Sequence, residues 1–279
     1  QSLSFKSHLE KEEFENMVRS AKQLIRQGDM FQCVLSQRFS SDISGNPFDY
    51  YRNLRVTNPS NYLYFYDFED YQIIGASPES LVSVKDGIVT TNPIAGTRPR
   101  GNDEEEDQRL AADLSTDTKE VAEHRMLVDL GRNDIGRIAQ IGTVEVTKYM
   151  EVEYFRYVMH LTSIVKGQLL KNVTVLDALK ATLPAGTVSG APKIRAMQRI
   201  YELEKEKRGI YAGAIGYLSA TGDMDFAIAI RTMVVKNGKA YVQAGAGIVY
   251  DSVPENEYQE TLNKAKAMTK IGECYDSFN

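Results

Sequence analysis

Leu81-Val82-Ser83-Val84-Lys85-Asp86-Gly87-Ile88-Val89-Thr90-Thr91 is the stretch on which the fold class turns. Two short runs of apolar and β-branched residues flank Asp86-Gly87. That pair accepts the left-handed backbone of a tight hairpin, so the two runs are expected to pair antiparallel. The pattern recurs downstream. Thr221-Gly222-Asp223 joins strand-like runs at Ala212–Ser219 and Asp225–Val235, and Asn237-Gly238 leads into a last strand near Lys239–Gln243. Phe31–Phe39, Tyr62–Phe68, Tyr71–Ile74, Thr143–Lys148 and Tyr157–Lys166 also read as strands. On Phe31–Phe39, Phe31, Cys33, Leu35, Gln37 and Phe39 share one face, and Gln32, Val34, Ser36 and Arg38 share the other. The second face fits either an inward-facing site or a solvated surface, with the solvated surface the simpler expectation.

Helical periodicity is clearest at the start of the chain. Phe14, Met17, Val18, Ala21, Leu24 and Ile25 recur three and four apart, and Gly28 supplies a stop. Pro47–Arg55, Asp103 to about Leu130, Val173–Ala181, Ala191–Arg208 and Glu255–Ile271 are further helical segments. Pro93–Arg100, rich in Gly, Pro and Arg, reads as a loop. Hairpins among the strands and helices in blocks favour an α+β fold with antiparallel sheets over a doubly wound parallel one.

Composition narrows the function classes. The chain has 279 residues, 42% hydrophobic and 25% charged, with a formal net charge of -5. That is enough material for a sizeable core and excludes a disordered chain. No apolar run is long enough to span a bilayer. The acidic balance disfavours a nucleic-acid surface. Two cysteines, Cys33 and Cys274, do not make a disulfide framework, and they point to a reducing, cytoplasmic setting. The chain opens on Gln1 without an initiator Met, so it reads as processed or as a piece of something longer.

Two helices carry paired carboxylates. Glu120 and Glu123 lie three apart, with His124 four after Glu120. Glu257 and Glu260 lie three apart, with Lys264 four after Glu260. Each spacing puts both acids on one helix face. Two such faces meeting would suit a hard divalent cation, and two solvated faces with ordinary ion pairs show the same spacing. Ala244-Gly245-Ala246-Gly247 reads as a strand-to-helix connection whose backbone amides approach an anion. Gly186 to Lys193 is a similar small, polar loop, or a plain helix-capping turn. Arg231 is placed on a strand with small neighbours Ala227 and Ala229 on its own face. There it suits a carboxylate clamp or a surface ion pair. His160, between Met159 and Leu161, suits a general base or a structural histidine.

Four long motifs then occur in order. They are Pro93-Ile94-Ala95-Gly96-Thr97-Arg98-Pro99-Arg100-Gly101, Glu123 to Asp134, Gly186 to Lys193, and Glu257 to Ala265. Together they resemble the chorismate-binding enzyme family, from about Phe14 to Ala267. That resemblance implies an antiparallel β-sandwich with flanking helices and an active-site cleft between the layers. It also implies Mg2+ as cofactor. Members that add water carry a Lys where this chain has Gln32. Aminodeoxychorismate synthases of the common type carry a Lys where it has Ala95. With neither lysine, the chain resembles the anthranilate-forming branch, in which ammonia is the nucleophile. Asn58-Pro59-Ser60-Asn61-Tyr62-Leu63-Tyr64 resembles that branch's stretch lining a feedback tryptophan pocket.

The resemblance implies residue roles. Glu123 and Glu260 would hold Mg2+, with Glu120 and Glu257 binding directly or through water. Gly245, Gly247 and Lys264 would sit near the ring carboxylate of chorismate. Tyr211 and Arg231 would bind the enolpyruvyl carboxylate. Gly96, Thr97 and Thr187 would line the ring. Glu79 would act as general acid and His160 would assist proton loss. The ammonia would come from a glutamine amidotransferase subunit, and tryptophan would be the feedback inhibitor. No nucleic-acid or membrane partner is expected. Family members of this type are longer, so residues 1–279 are expected to form the catalytic C-terminal part of a longer subunit. Two alternatives stand beside this. One is an aminodeoxychorismate synthase component, and the other is a catalytically incomplete fragment that binds a partner or tryptophan.

Overall fold

The protein is seen in a computed structural model that describes residues 3–155 and 158–269. Cys274, Tyr157 and the end of the last helix near Ile271 lie outside the described residues. In chain order the elements are β1 (Lys6–Ser7), α1 (Lys11–Arg26), β2 (Gln32–Asp42), α2 (Pro47–Thr57), β3 (Tyr62–Asp67), β4 (Tyr71–Ser77), β5 (Ser80–Lys85), β6 (Ile88–Thr91) and β7 (Ile94–Pro99). Then come α3 (Glu104–Thr116), α4 (Thr118–Gly136), β8 (Glu145–Tyr154), β9 (Val158–Gln168), α5 (Val175–Thr182), β10 (Gly190–Ala191) and α6 (Lys193–Glu204). The chain finishes with β11 (Ala214–Leu218), β12 (Met224–Ile228), β13 (Thr232–Lys236), β14 (Lys239–Ile248) and α7 (Pro254–Thr269).

These elements form two compact units, each an antiparallel sheet with helices. The first draws on residues 1–78, 187–215 and 228–279, and the second on 79–186 and 216–227. In the first, the sheet order is β1-β2-β14-β13-β4-β3, with β10 also paired to β2. One face of β2 and β14 is apolar except at buried Gln37, whose Nε2 donates to Thr261 Oγ1 at 2.6 Å. Cys33, Leu35, Ala246 and Ile248 pack with Phe14, Val18 and Ala21 of α1 and Ala196 and Ile200 of α6. Farther along, Phe39, Val242 and Ala244 pack with Leu54 of α2 and Met268 of α7. Burial of this alternating set fixes the strand register, since a one-residue slip would turn every one of these side chains to the opposite face.

In the second unit the order is β11-β12-β5-β6-β9-β7, with β8 also paired to β9. The hairpin at Asp86-Gly87 forms as expected, with Ser83 opposite Thr90 and Lys85 opposite Ile88. Leu114 of α3 packs with Met159 and Leu161 of β9. The α+β fold with antiparallel sheets stands.

Four local expectations need correction. Ile94–Pro99 is strand β7 rather than a loop, paired with β9 and bulged between Ala95 and Thr97. Gly96 carries the bulge at φ +72, a conformation that hid the strand behind turn-like composition. Second, Asp103–Leu130 is two helices. The carboxylate of Asp117 accepts from Lys119 N and Glu120 N and so starts α4 where α3 ends. Third, Asp225–Val235 is two strands, β12 and β13, in different sheets. The break falls at Arg231, which has φ +48. Fourth, Ala244–Gly247 is the interior of β14, paired with β2 from Lys239↔Asp42 to Ile248↔Cys33.

The polar face of β2 is also not a solvated surface. Ser36 is buried, and its N and Oγ each lie 2.8 Å from Glu204 Oε1. Glu204 in turn accepts from Arg208, whose Nη1 and Nη2 also reach Val188 O and Val34 O.

Candidate active site

The second unit gathers four of the predicted residues. Bulged Gly96 leaves space that Glu120 uses. A Cβ at Gly96 would stand 3.2 Å from Glu120 Oε2 and 2.9 Å from Leu114 Cδ1. His160, directly across the ladder from Thr97, has its Nδ1 2.9 Å from Gly96 O and 3.1 Å from Thr97 Oγ1. A carbonyl oxygen only accepts, so Nδ1 carries a proton, and in the neutral imidazole the lone pair is then on Nε2. Glu123 lies one turn along α4 from Glu120 and is half-buried. Glu79, half-buried, precedes β5.

The first unit gathers another four. Lys264 on α7 donates to Gly245 O at 3.1 Å and pairs with Glu260 Oε1 at 2.6 Å. Gly245 is buried in β14, and a Cβ there would stand 2.6 Å from Tyr211 Oη, 2.9 Å from Val34 Cγ1 and 3.0 Å from Leu35 O. Burial pushes the Tyr211 phenol up to about 12, so it stays a neutral hydrogen-bond donor. Its ring lies 5.5 Å from the Arg208 guanidinium. Tyr211 also borders a cavity of about 360 Å³ together with Arg38, Arg208, Tyr241 and Gln243. Glu257 is buried, one turn before Glu260. At Gly247 a Cβ would meet the side-chain amide of buried Gln32, 2.8 Å from its nitrogen and 3.9 Å from Cδ.

Arg231 and Thr187 both lie outside regular strands and α-helices. Arg231 does not share a strand face with Ala227 and Ala229, both of which are buried. It is exposed at the break, where its carbonyl accepts from Ala76 N at 3.0 Å. Thr187 sits in a 3-10 turn at Gly186–Val188.

The side chains that the resemblance assigns to Mg2+ are all carboxylates, Glu120 and Glu123 on α4 and Glu257 and Glu260 on α7. Among the described residues no three metal-ligating side chains form one cluster. Hard oxygen donors in ones and twos fit Mg2+, which keeps several waters and takes one or two protein carboxylates.

Sequence reasoning assigned no role to Ser163 or Arg98. Ser163 Oγ lies 2.6 Å from His124 Nε2 and accepts from Met150 N at 2.9 Å. His124 is fully buried, which pushes its imidazole down to about 4 from 6.5. Between those values the unfolded chain holds a proton that the folded chain does not. Stability from this residue is therefore complete above pH 6.5 and is lost as pH falls toward 4, by up to about 3 kcal/mol. Urea unfolding between pH 7 and 4.5 should show that fall, and His124→Gln should flatten it. Parallel pH profiles would remove His124 as its source.

The chain belongs to the chorismate binding enzyme family, whose model matches residues 1–270. Among its relatives, the anthranilate synthase component 1 of Lactococcus lactis subsp. lactis is 64% identical over 271 residues, covering 97% of this chain and 59% of that protein. That of Aquifex aeolicus is 58% identical over 267 residues, covering 96% of this chain and 54% of its own length. The crystal structure of anthranilate synthase component I from Streptococcus pneumoniae TIGR4 superposes with a TM-score of 0.91 at 76% identity, covering 96% of this chain and 60% of that one. The chain thus spans a little more than half the length of these relatives. No helix among the described residues is long and apolar enough to cross a membrane.

Proposed function

We propose that this chain carries the catalytic portion of an enzyme that converts chorismate and ammonia to anthranilate, pyruvate and water. The observation that carries the reading is that the sequence has both Gln32 and Ala95. The two lysines that would direct the family toward water addition or ring attack by lysine are both replaced. Gln32 supports it further by packing against Gly247, on the strand assigned to the ring carboxylate. The relatives named above support the same branch.

In this reading Tyr211, as a neutral phenol, and Arg231 hold the enolpyruvyl carboxylate. Gly96, Thr97 and Thr187 line the ring, and Gly245, Gly247 and Lys264 stand at its carboxylate. Glu123 and Glu260 hold Mg2+, with Glu120 and Glu257 binding directly or through water. The ion, when bound, neutralises that carboxylate and polarises the ring. Ammonia adds at ring C2 while Glu79 gives a proton to the departing 4-hydroxyl, which leaves as water. The C2 proton then leaves, the enolpyruvyl C–O bond breaks, and pyruvate departs as the ring becomes aromatic. In the neutral imidazole, donation of Nδ1–H to Gly96 O leaves the lone pair on His160 Nε2, the atom suited to take that proton. Positioning and proton transfer are the work of the protein, and aromatisation drives the step. A glutamine amidotransferase subunit supplies the ammonia, tryptophan is the feedback inhibitor, and the setting is cytoplasmic.

The test is anthranilate fluorescence with chorismate, Mg2+ and ammonium. Fluorescent product with equal pyruvate is expected. Isochorismate or aminodeoxychorismate as the product would overturn the reading of Gln32 and Ala95. No turnover with retained partner or tryptophan binding would favour the incomplete-fragment alternative.

A further inference from the structure

Arg98 lies on β7, two residues beyond Gly96, and three acids surround its guanidinium. Nε is 2.6 Å from Asp113 Oδ2, Nη2 is 2.9 Å from Asp117 Oδ2, and Nη1 is 3.6 Å from Glu120 Oε1. Nη1 also donates to the neighbouring carbonyl, Thr97 O, at 3.1 Å. The acids come from the last turn of α3, the N-cap of α4 and the first turn of α4. One rigid fork thus joins the strand bearing Gly96 and Thr97 to the helix bearing Glu120 and Glu123.

The three contacts are unequal. Asp113 and Asp117 accept close hydrogen bonds, whereas Glu120 is held at ion-pair distance only. Its other oxygen, Oε2, faces Gly96, where the missing Cβ leaves room. Glu120 is therefore steered by a positive charge without being tied to it. A guanidinium at this distance opposes a second cation on the same carboxylate, because like charges repel strongly where water is partly excluded. The Arg98 side chain is only 20% exposed. With three carboxylates around one guanidinium, the cluster keeps an excess of negative charge for a divalent ion to satisfy.

We propose that Arg98 is a positioning residue and counter-ion for Glu120. It keeps Glu120 in place and holds divalent affinity down, while its bond to Thr97 O fixes the strand that lines the ring. This rests on the Mg2+ and chorismate reading above. The two duties predict opposite signs in one variant, which a merely structural role would not produce. Arg98→Gln should bind Mn2+ about three- to tenfold more tightly, because the competing charge is gone. Its turnover of chorismate should fall about tenfold or more, because Thr97 and Glu120 lose their common anchor.

The experiment is calorimetric titration with Mn2+ alone, with no substrate present, alongside turnover. A second variant covers the case in which Arg98→Gln does not fold. Asp113 is 62% exposed, so Asp113→Asn is expected to fold normally. It frees the fork to close on Glu120 and should weaken Mn2+ binding about two- to threefold. Folded Arg98→Gln with unchanged or weaker Mn2+ affinity would overturn the proposal, as would Asp113→Asn with unchanged or tighter affinity. Glu260→Gln separates the two levels. If it loses Mn2+ binding while Arg98→Gln and Asp113→Asn behave as wild type, only the Arg98 role falls. If the wild type binds no Mn2+, or Glu260→Gln binds it normally, the metal reading falls and the Arg98 role with it.

Discussion

Glu260→Gln should reduce anthranilate formation by at least about a thousandfold at any Mg2+ concentration tried, with the fold intact. Glutamine has the shape of glutamate and similar helix propensity, so α7 keeps its backbone. Glu260 is half-buried and its partner is Lys264, four residues on. A helix pair of that kind contributes only about 0.3–0.5 kcal/mol, too little to unfold the first unit when lost. The loss that matters is a negative oxygen. A neutral amide is a poor ligand for a hard divalent ion, and the freed Lys264 ammonium would still donate to Gly245 O nearby. Thermal unfolding within a few degrees of wild type, together with the collapse in rate, is the expected pair of results. Activity near wild type would sink the metal assignment.

Gly245→Ala is expected to cost at least about a hundredfold in kcat/KM from the addition of one methyl group. The new carbon would stand 2.6 Å from Tyr211 Oη and 3.0 Å from Leu35 O. Leu35 O belongs to the β2 backbone, fixed by the ladder with β14, and does not give way. Tyr211 must therefore move, and with it the phenol proposed to hold the enolpyruvyl carboxylate. A misplacement of about 1 Å at a positioning group is enough for a loss of this size. Overpacking should also lower stability by about 1–3 kcal/mol, so rates need comparing on folded protein well below its melting temperature. If Gly245→Ala is merely less stable, with kcat/KM unchanged, Tyr211 and Gly245 do not line the substrate.

Much of this was legible in the sequence because the signals were local. The Asp86-Gly87 hairpin, the helix from Phe14 to Ile25 and the one-turn spacing of each Glu pair depend on neighbours within a few residues. What stayed hidden depends on distant chain. Ile94–Pro99 is a strand only because β9 offers it a partner, and its Gly, Pro and Arg content pointed elsewhere. The glycines of β14 mimic a flexible turn. They are small because Tyr211 and Gln32 press against them from other elements. Each half of Asp225–Val235 satisfies strand propensity, so nothing in the pattern marks the break at Arg231. Arg98 lies inside a quoted motif, yet its three acids are 15, 19 and 22 positions later in the chain.

The long ladder between β2 and β14 joins residues made far apart in time. Arg38 pairs with Gln243 across 205 positions of sequence. During synthesis β2 emerges early, yet its partner leaves the ribosome only after all of residues 79–186 have appeared. Through that interval α1 can cover only part of the apolar face of β2, and one line of its backbone donors and acceptors stays unmatched. Segments inserted between two pairing strands can fold first, while such non-local pairing is slow and exposed to misassociation. The second unit is therefore positioned to mature ahead of the first. A chaperone that protects bare strand edges would find its client in the unfinished first unit, in the span between the birth of Gln32 and the arrival of Ile248.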